Sequence, residues 1–178
     1  MKSYSSLKPL TVLALNRFRD VPAEPGVYVV FWIRDGKAVS IRRILGVDEK
    51  GILYIGATRR KKGLKGRIEE LWVSIQMAYG HRRRKDYRHT FGPSLLYTGL
   101  NRVIRDEELW IYFKEFSIDE AKYQEKRALL EYARKYGEPP PLNFQVGRQY
   151  FAIASLGVHG KSRYLGELDP DLQAVLGL

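Results

Sequence analysis

Two short apolar segments, each carrying one tyrosine, constrain the fold of this chain more than any other feature. Residues 25–30 (PGVYVV) and 51–56 (GILYIG) are apolar runs bounded by glycine and proline, a pattern typical of buried β-strands. A phenol buried within a strand needs a partner for its hydroxyl group. Neighbouring strands would therefore present Tyr28 and Tyr54 to one place, although two tyrosines that only pack in a core would give the same pattern.

The alternation of side chains along a strand predicts which residues share a face with each tyrosine. Tyr28 is expected to share its face with Trp32, and Tyr54 with Ile52 and Gly56. Because Gly56 has no side chain, we expect that face to stay open beside Tyr54.

The positive charge of the chain is concentrated in one segment. The formal net charge is +11 over 178 residues, and residues 57–89 hold most of that excess. This distribution favours a polyanion such as nucleic acid as the partner over a merely solvated loop. The basic residues predicted to contact a phosphate backbone are Arg59, Arg60, Lys61, Lys62, Lys65, Arg82, Arg83, Arg84, Lys85 and Arg88.

Residues 63–80 are predicted to form an amphipathic helix between the two basic clusters. Apolar residues recur there at spacings of three and four, from Leu64 to Leu71 and beyond. Arg67 lies inside the apolar stripe, an unusual position for a permanently charged group. It would either extend past its apolar neighbours to solvent, pair with a structural carboxylate, or point at a bound phosphate.

The remaining elements follow from local patterns. Residues 34–37 (RDGK) predict a hairpin turn, residues 39–47 a second strand, and residues 109–116 a third core strand. Residues 94–105 stay unassigned, residues 1–24 are a helical or extended lead-in, and residues 150–154 are a candidate strand in the tail. Helices are predicted for residues 117–137 and, after an Asp-Pro cap, to residue 176.

Two glutamates on the 117–137 helix are candidates for chemistry. Glu125 lies four residues from Ala121 and from Leu129, which places it on the apolar stripe. Glu131 lies between Arg127 and Lys135 and is typical of a surface ion-pair residue. The face of the helix favours Glu125, with Glu131 as the alternative.

Composition narrows the class of protein. The chain has no cysteine, so it has neither disulfides nor a thiolate metal site. It also has no apolar run long enough to span a membrane, and a cytoplasmic location is the expectation. Its length predicts one domain over residues 1–178.

The order of the tyrosine motifs resembles a known nuclease signature. GVY at 26–28 followed by YIG at 54–56 is similar to the two-strand motif of the GIY-YIG nuclease family, and PLN at 141–143 is similar to that family's Pro-x-Asn ending. The resemblance covers residues 25–143, with a lead-in at 1–24 and an extension at 144–178. It implies an α+β fold, in which helices flank a small, mainly antiparallel sheet of about three core strands, with an extra hairpin.

The resemblance also implies a function. The family hydrolyses phosphodiester bonds with one metal ion, so a Mg²⁺-dependent DNA endonuclease is expected, with Mn²⁺ as a substitute. The residues that the resemblance places in the site are Tyr28, Tyr54, Arg67, Glu125 as the metal ligand, and Asn143 as a brace for the strands. Double-stranded or branched DNA is the expected substrate. Because each chain would have a single site, cutting both strands would need a homodimer or two successive binding events.

The chain departs from the family pattern at two positions. Many members have a basic residue after the second motif, where this chain has Ala57, and a Tyr or His four residues after the helix arginine, where it has Leu71. His89, His81 or Arg59 could take over the missing polar role, and His89 is preferred because turn residues flank it. Otherwise the site is weaker than is usual in the family. The alternative function is therefore a binding module on the same fold, catalytically weak or inactive.

Overall fold

An antiparallel sheet with helices on both faces forms the protein, as predicted. The computed structural model describes residues 7–83, 88–144 and 167–178. The strands of this part are β1 (Lys8–Pro9), β2 (Gly26–Arg34), β3 (Lys37–Ala38), β4 (Ile41–Arg43), β5 (Gly46–Asp48), β6 (Ile52–Thr58) and β7 (Leu109–Glu115). Its α-helices are α1 (Leu10–Leu15), α2 (Gly63–Ala78), α3 (Phe91–Tyr97), α4 (Ile118–Tyr136) and α5 (Pro170–Leu176).

The three predicted core strands lie side by side, with β2 between β6 and β7. Strand β2 is buried on both faces, as its unbroken apolar sequence predicts. One face packs against α1, α2 and α3, and the other against α4 and α5. Both candidate tyrosines belong to the first face, where α2 and α3 cover them.

The second strand predicted for residues 39–47 is wrong. The predicted Asp-Gly turn does connect β2 to β3, with positive φ at both Asp35 and Gly36. The chain then leaves the sheet and forms a separate β4–β5 hairpin. The end of α4 holds this hairpin, because the Leu45 N–H donates to the Tyr136 carbonyl at 3.0 Å. A tertiary contact therefore interrupts a segment whose composition favours one strand.

A bulge changes the predicted face of Ile52. Tyr54 pairs with Val30 and Ile52 pairs with Phe31, so Leu53 is an extra residue opposite this step of β2. Ile52 consequently packs on the α4 face, whereas Tyr54 packs on the α2 face. The expectation that these two residues share a face is wrong, because a bulge resets the alternation of side chains.

The lead-in anchors the start of α2. Its residues 10–15 are helical, one of the two predicted alternatives, and the loop after them approaches the first turn of α2. The Leu64 N–H donates to the Glu24 carbonyl and the Lys65 N–H to the Pro22 carbonyl, both at 2.8 Å. Backbone carbonyls therefore satisfy the amides that a helix start normally leaves open.

The helices α4 and α5 agree with their predicted bounds and caps. The Ser117 hydroxyl accepts the Glu120 N–H, and Gly137 ends α4 with a left-handed conformation. The Asp169 carboxylate caps α5 and also binds Lys114 of β7 at 2.8 Å. No helix of the described part is both long and apolar enough to cross a membrane. The strand predicted at 150–154 lies outside the described residues.

The unassigned segment 94–105 holds the end of α3 and a 3₁₀ turn at Leu100–Arg102, and a second 3₁₀ turn, Asp106–Glu108, follows it and ends at a buried carboxylate. The Glu108 side chain is 3% exposed and accepts hydrogen bonds from Arg34, Trp32 and Arg105. The Arg34 bond, more than the others, lowers the pKa of Glu108 to about 2. This carboxylate ties β2 to the entry of β7.

Replacing Glu108 by glutamine is expected to lower the free energy of unfolding by about 2 kcal/mol at neutral pH, because charged hydrogen bonds to a buried group are lost. Since both arginines are largely exposed, solvent screening keeps the loss at this moderate value. Because the pKa of Glu108 is lower in the folded state than in the unfolded state, its ionised form stabilises the fold above pH 4.5. This contribution is lost as the pH falls towards 2. Urea unfolding across this pH range measures both effects.

The exposed neighbour Glu107 supplies the control for this measurement. Its side chain is 55% exposed, and Arg105 is its one ion-pair partner among the residues that the structure describes, so Glu107→Gln is expected to change stability by less than about 0.5 kcal/mol. Equal losses in the two variants would contradict a structural role specific to Glu108.

Candidate functional site

The two motif tyrosines meet over Gly56. Their rings stack with centroids 6.1 Å apart, and both are buried. Gly56 pairs with Tyr28 across the sheet, and a Cβ atom there would lie 2.5 Å from the Tyr28 hydroxyl. The expectation that the face stays open beside Tyr54 is wrong, because the phenol of Tyr28 fills the space over Gly56. A glycine is required because two rings converge on this point of the sheet.

His89 is buried against both tyrosines rather than solvated in a loop. Its Nε2 atom lies 2.6 Å from the Tyr28 hydroxyl, and its side chain is 1% exposed. Its ring also approaches Tyr54, whose other edge packs on Phe91. His81, the other histidine considered, is exposed and stacks on Tyr79 at the end of α2. The structure therefore brings His89, and not His81, to the tyrosines.

The hydrogen bonds of His89 fix which nitrogen carries the proton. The Nδ1 atom accepts the Phe91 backbone N–H at 3.1 Å, so the proton of a neutral ring lies on Nε2. Burial, and then the charges of Arg67 and Arg60, lower the pKa of His89. The neutral ring consequently donates to the Tyr28 oxygen, which leaves the Tyr28 O–H proton for another acceptor.

The free edge of β6 is bound by two predicted site residues. The Asn143 side chain accepts the Ile55 N–H at 3.0 Å and donates to the Ile55 carbonyl at 2.8 Å. Glu125 accepts the Ala57 N–H through Oε1 at 3.0 Å. Asn143 thus braces the strand between Tyr54 and Gly56, the role that the resemblance implied, and Glu125 lies at the residue after Gly56.

The two glutamates of α4 have different surroundings. Glu125 faces β6, and its Oε2 atom accepts no hydrogen bond from any residue in the described ranges. Glu131 binds Arg127 and Arg134 on the surface. The sequence predicted an ion-pair residue there correctly, although Lys135, the expected second partner, instead donates to the Gly177 carbonyl.

Arg67 is the charged group common to this site. Its side chain is 17% exposed, and its Nη1 atom donates to Glu70 at 2.9 Å and to the Arg88 carbonyl at 3.0 Å. Its positive charge lowers the pKa of Tyr28 and of Glu125 against larger opposing effects. Of the three placements considered from the sequence, pairing with a carboxylate is therefore observed.

Burial governs the proton affinity of the site. It raises the pKa of Tyr28, with a smaller contribution from Tyr54, and it also raises the pKa of Tyr54. Burial likewise raises the pKa of Glu125, against which the Ala57 N–H bond is the largest opposing effect. Both changes favour the neutral forms, and the positive charge of Arg67 opposes them.

The predicted basic residues lie at both ends of α2. Arg59, Arg60, Lys61 and Lys62 precede the helix, and Lys65 lies in its first turn. Arg59 is close enough to lower the pKa of Glu125. The side chains of the second cluster that are described, Arg82, Arg83 and Arg88, are exposed. Arg84 and Lys85 lie outside the described residues. A helix of this length separates the clusters by roughly 24 Å.

Two contributors to the site were not identified from the sequence. Glu70 binds both Arg60 and Arg67, and Phe91 packs edge-on against Tyr54. The spacing of three residues from Arg67 to Glu70 is a recognisable helical ion-pair signal. No sequence signal connects Phe91 to Tyr54, because the contact joins α3 to a strand far away in the chain.

The side chains present fit a metal ion only in part. Across residues 7–83, 88–144 and 167–178, no three His, Cys, Asp or Glu side chains come together as a metal-binding group. Glu125 has one carboxylate oxygen without a hydrogen bond from a described residue, whereas the Asn143 amide binds β6 through both its oxygen and its nitrogen. One carboxylate supplemented by phosphate and water is a donor set that Mg²⁺ accepts.

Comparison with known proteins finds no matching family model, no similar curated protein and no similar solved structure.

Proposed function

We propose that this protein is a Mg²⁺-dependent endonuclease of the GIY-YIG type that hydrolyses phosphodiester bonds in DNA. The observation that carries the proposal is the Tyr28–His89 hydrogen bond at 2.6 Å, made beside Tyr54 and between the charges of Arg67 and Glu125. Phenol, imidazole, guanidinium and carboxylate groups with shifted pKa values cluster at functional sites, where such shifts prepare them for chemistry. A cytoplasmic location and a double-stranded or branched DNA substrate belong to the same proposal.

In this proposal His89 positions Tyr28. The Nε2–H group donates to the phenol oxygen, so the Tyr28 proton is shared between the Tyr54 oxygen and an incoming water or phosphate oxygen. Because Tyr28 stays protonated at neutral pH, it orients water by hydrogen bonding unless a nearby cation lowers its pKa. The Tyr54 ring fixes the Tyr28 ring by stacking, and we assign it a positioning role.

Arg67 and Glu125 complete the site from two sides. The Nη1 atom of Arg67 is held by Glu70 and the Arg88 carbonyl, and its donors that remain are available to substrate phosphates. Glu125 would hold Mg²⁺, or Mn²⁺ in its place. When bound, the ion would supply charge neutralisation at the phosphate and a lower pKa for a nearby water.

The test of this function is nicking of supercoiled plasmid by the purified protein, with Mg²⁺ and with EDTA. Metal-dependent nicking is expected, and DNA retention should weaken steeply as salt rises. Salt-sensitive retention without nicking at any metal concentration would overturn the nuclease and favour the binding module, which Leu71 and Ala57 make the second candidate. Sedimentation during cutting would show whether two copies act together.

Replacing Tyr28 by phenylalanine is expected to lower nicking about 100-fold, because the water-orienting hydroxyl is lost. The same change leaves the buried His89 Nε2–H without an acceptor and lowers the free energy of unfolding by about 1–2 kcal/mol. Single-turnover nicking and urea unfolding measure the two effects. Tyr54→Phe is the matched control, with a smaller activity loss expected. Unchanged cleavage in Tyr28→Phe would remove its assignment.

A further inference from the structure

A basic cleft lies beside the tyrosine site, between the end of β6 and the first turns of α2. It has a volume of 280 Å³, room for roughly nine waters. Its lining side chains are Thr58, Arg60, Lys61, Lys62, Arg67 and Glu70. Four cations against one carboxylate favour an anion as the occupant.

Side chains, and not helix amides, must bind that anion. The Gly63 N–H donates to the Arg60 carbonyl, and the Gly66 N–H to the Lys62 carbonyl. Carbonyls of the lead-in loop take the two amides between them. The start of α2 therefore offers no free N–H group to a ligand, and binding depends on how the guanidinium and ammonium groups are arranged.

Glu70 arranges the two arginines. Its carboxylate accepts Arg60 Nη1 at 3.2 Å and Arg67 Nη1 at 2.9 Å. Among the described residues Arg60 uses only Nη1, so its Nη2 and Nε donors remain for a ligand. Arg67 uses Nη1 for Glu70 and the Arg88 carbonyl and also interacts with the Tyr28 hydroxyl, which leaves part of its five-donor guanidinium for a ligand. The half-buried Glu70 carboxylate thus holds the two arginine side chains side by side before a ligand binds. Less rotamer entropy is therefore lost when the anion binds.

We propose that this cleft binds one DNA backbone phosphate adjacent to the scissile one, and that Glu70 is the positioning residue that organises Arg60 and Arg67 to hold it. The inference rests on the proposed nuclease function for the identity of the ligand. It adds a discrete phosphate subsite to a basic surface, and it gives an acidic residue a favourable role in binding an anion.

The test compares Glu70→Gln with Glu69→Gln, which gives the same net charge from the neighbouring position. Glu69 makes no ion pair with another residue in the described part. Inorganic phosphate and a short DNA duplex are titrated into each variant while the side-chain NMR signals of Arg60 and Arg67 are followed. Phosphate binding is expected to be about fivefold weaker in Glu70→Gln than in Glu69→Gln, since about 1 kcal/mol of ordering must be supplied on binding.

Three outcomes decide the matter. Weaker phosphate and duplex binding in Glu70→Gln, with the shifts of the Arg60 and Arg67 signals lost, supports the subsite. Equal or tighter binding in Glu70→Gln overturns it, because Glu70 would then only compete with the anion. Phosphate binding that the duplex does not displace also overturns it, in favour of a free-anion site. These titrations do not depend on cleavage. An absence of plasmid nicking would therefore contradict the nuclease function, while phosphate and duplex binding could still be measured. Thermal melting checks that both variants fold.

Discussion

Mg²⁺-dependent nicking is expected to fall by about 100- to 1,000-fold when Glu125 is replaced by alanine. The carboxylate faces the tyrosine site, is bound to the Ala57 N–H through Oε1, and keeps Oε2 free of hydrogen bonds from described residues. Under the proposed function it is the only protein group assigned to the metal. Its loss should therefore remove charge neutralisation at the phosphate while the DNA-binding arginines and lysines stay in place.

The matched control is Glu131→Ala on the same helix. Glu131 is engaged by Arg127 and Arg134 at the surface, so its removal is expected to leave nicking within about twofold of the wild type and to change stability by less than 1 kcal/mol. Single-turnover nicking across a Mg²⁺ titration, with DNA binding measured in EDTA, separates the two variants. Loss of activity in Glu131→Ala but not in Glu125→Ala would show that the face of the helix was misjudged.

A large loss of stability from a small change near the candidate site is expected for Gly56→Ala. The added Cβ would lie 2.5 Å from the Tyr28 hydroxyl and 2.7 Å from Tyr54 Cε1. Neither ring can move away easily, because His89 holds Tyr28 and Phe91 packs on Tyr54. Overpacking of this kind costs about 1–3 kcal/mol, and we expect the upper part of that range, about 3 kcal/mol. Urea or thermal unfolding measures it.

Gly46→Ala in the β4–β5 hairpin is the control for this change. A Cβ at Gly46 would have no heavy atom within 4 Å, so stability should change by less than about 0.5 kcal/mol. If Gly56→Ala were as stable as Gly46→Ala, the tyrosines could not be packed over the glycine as described. If it folded stably but lost nicking, the rings would have moved at the expense of the site geometry.

The two residues at which the chain departs from the nuclease signature have distinct surroundings. Leu71 is fully buried in the core beneath the tyrosines, so no polar group is presented from its position. His89 supplies an imidazole from the loop before α3, and this imidazole binds the Tyr28 hydroxyl. Arg59 acts on Glu125 as a nearby positive charge, as do Arg67 and Lys126. These placements explain how a polar site can be built around both substitutions.

The amino-acid sequence by itself determined the elements whose signals lie within a few residues of each other. The buried strand β2, the helix α4 with Ser117 and Gly137 as its caps, and the inward face of Glu125 all follow from local periodicity and capping. A period of 2 or 3.6 residues fixes a face without knowledge of any partner. The brace from Asn143 came from the family resemblance, and it agrees with the observed bonds.

Only the tertiary structure decided how distant segments meet. The Tyr28–His89 bond joins residues 61 positions apart, and the Asn143–Ile55 bonds span 88 positions. The bulge at Leu53 and the separate β4–β5 hairpin likewise depend on partners from other elements. Sheet register and helix packing set these contacts, and neither is encoded in the spacing of neighbouring residues. The sequence therefore named most of the residues that meet around Tyr28 and Tyr54, and the fold decided which of them touch.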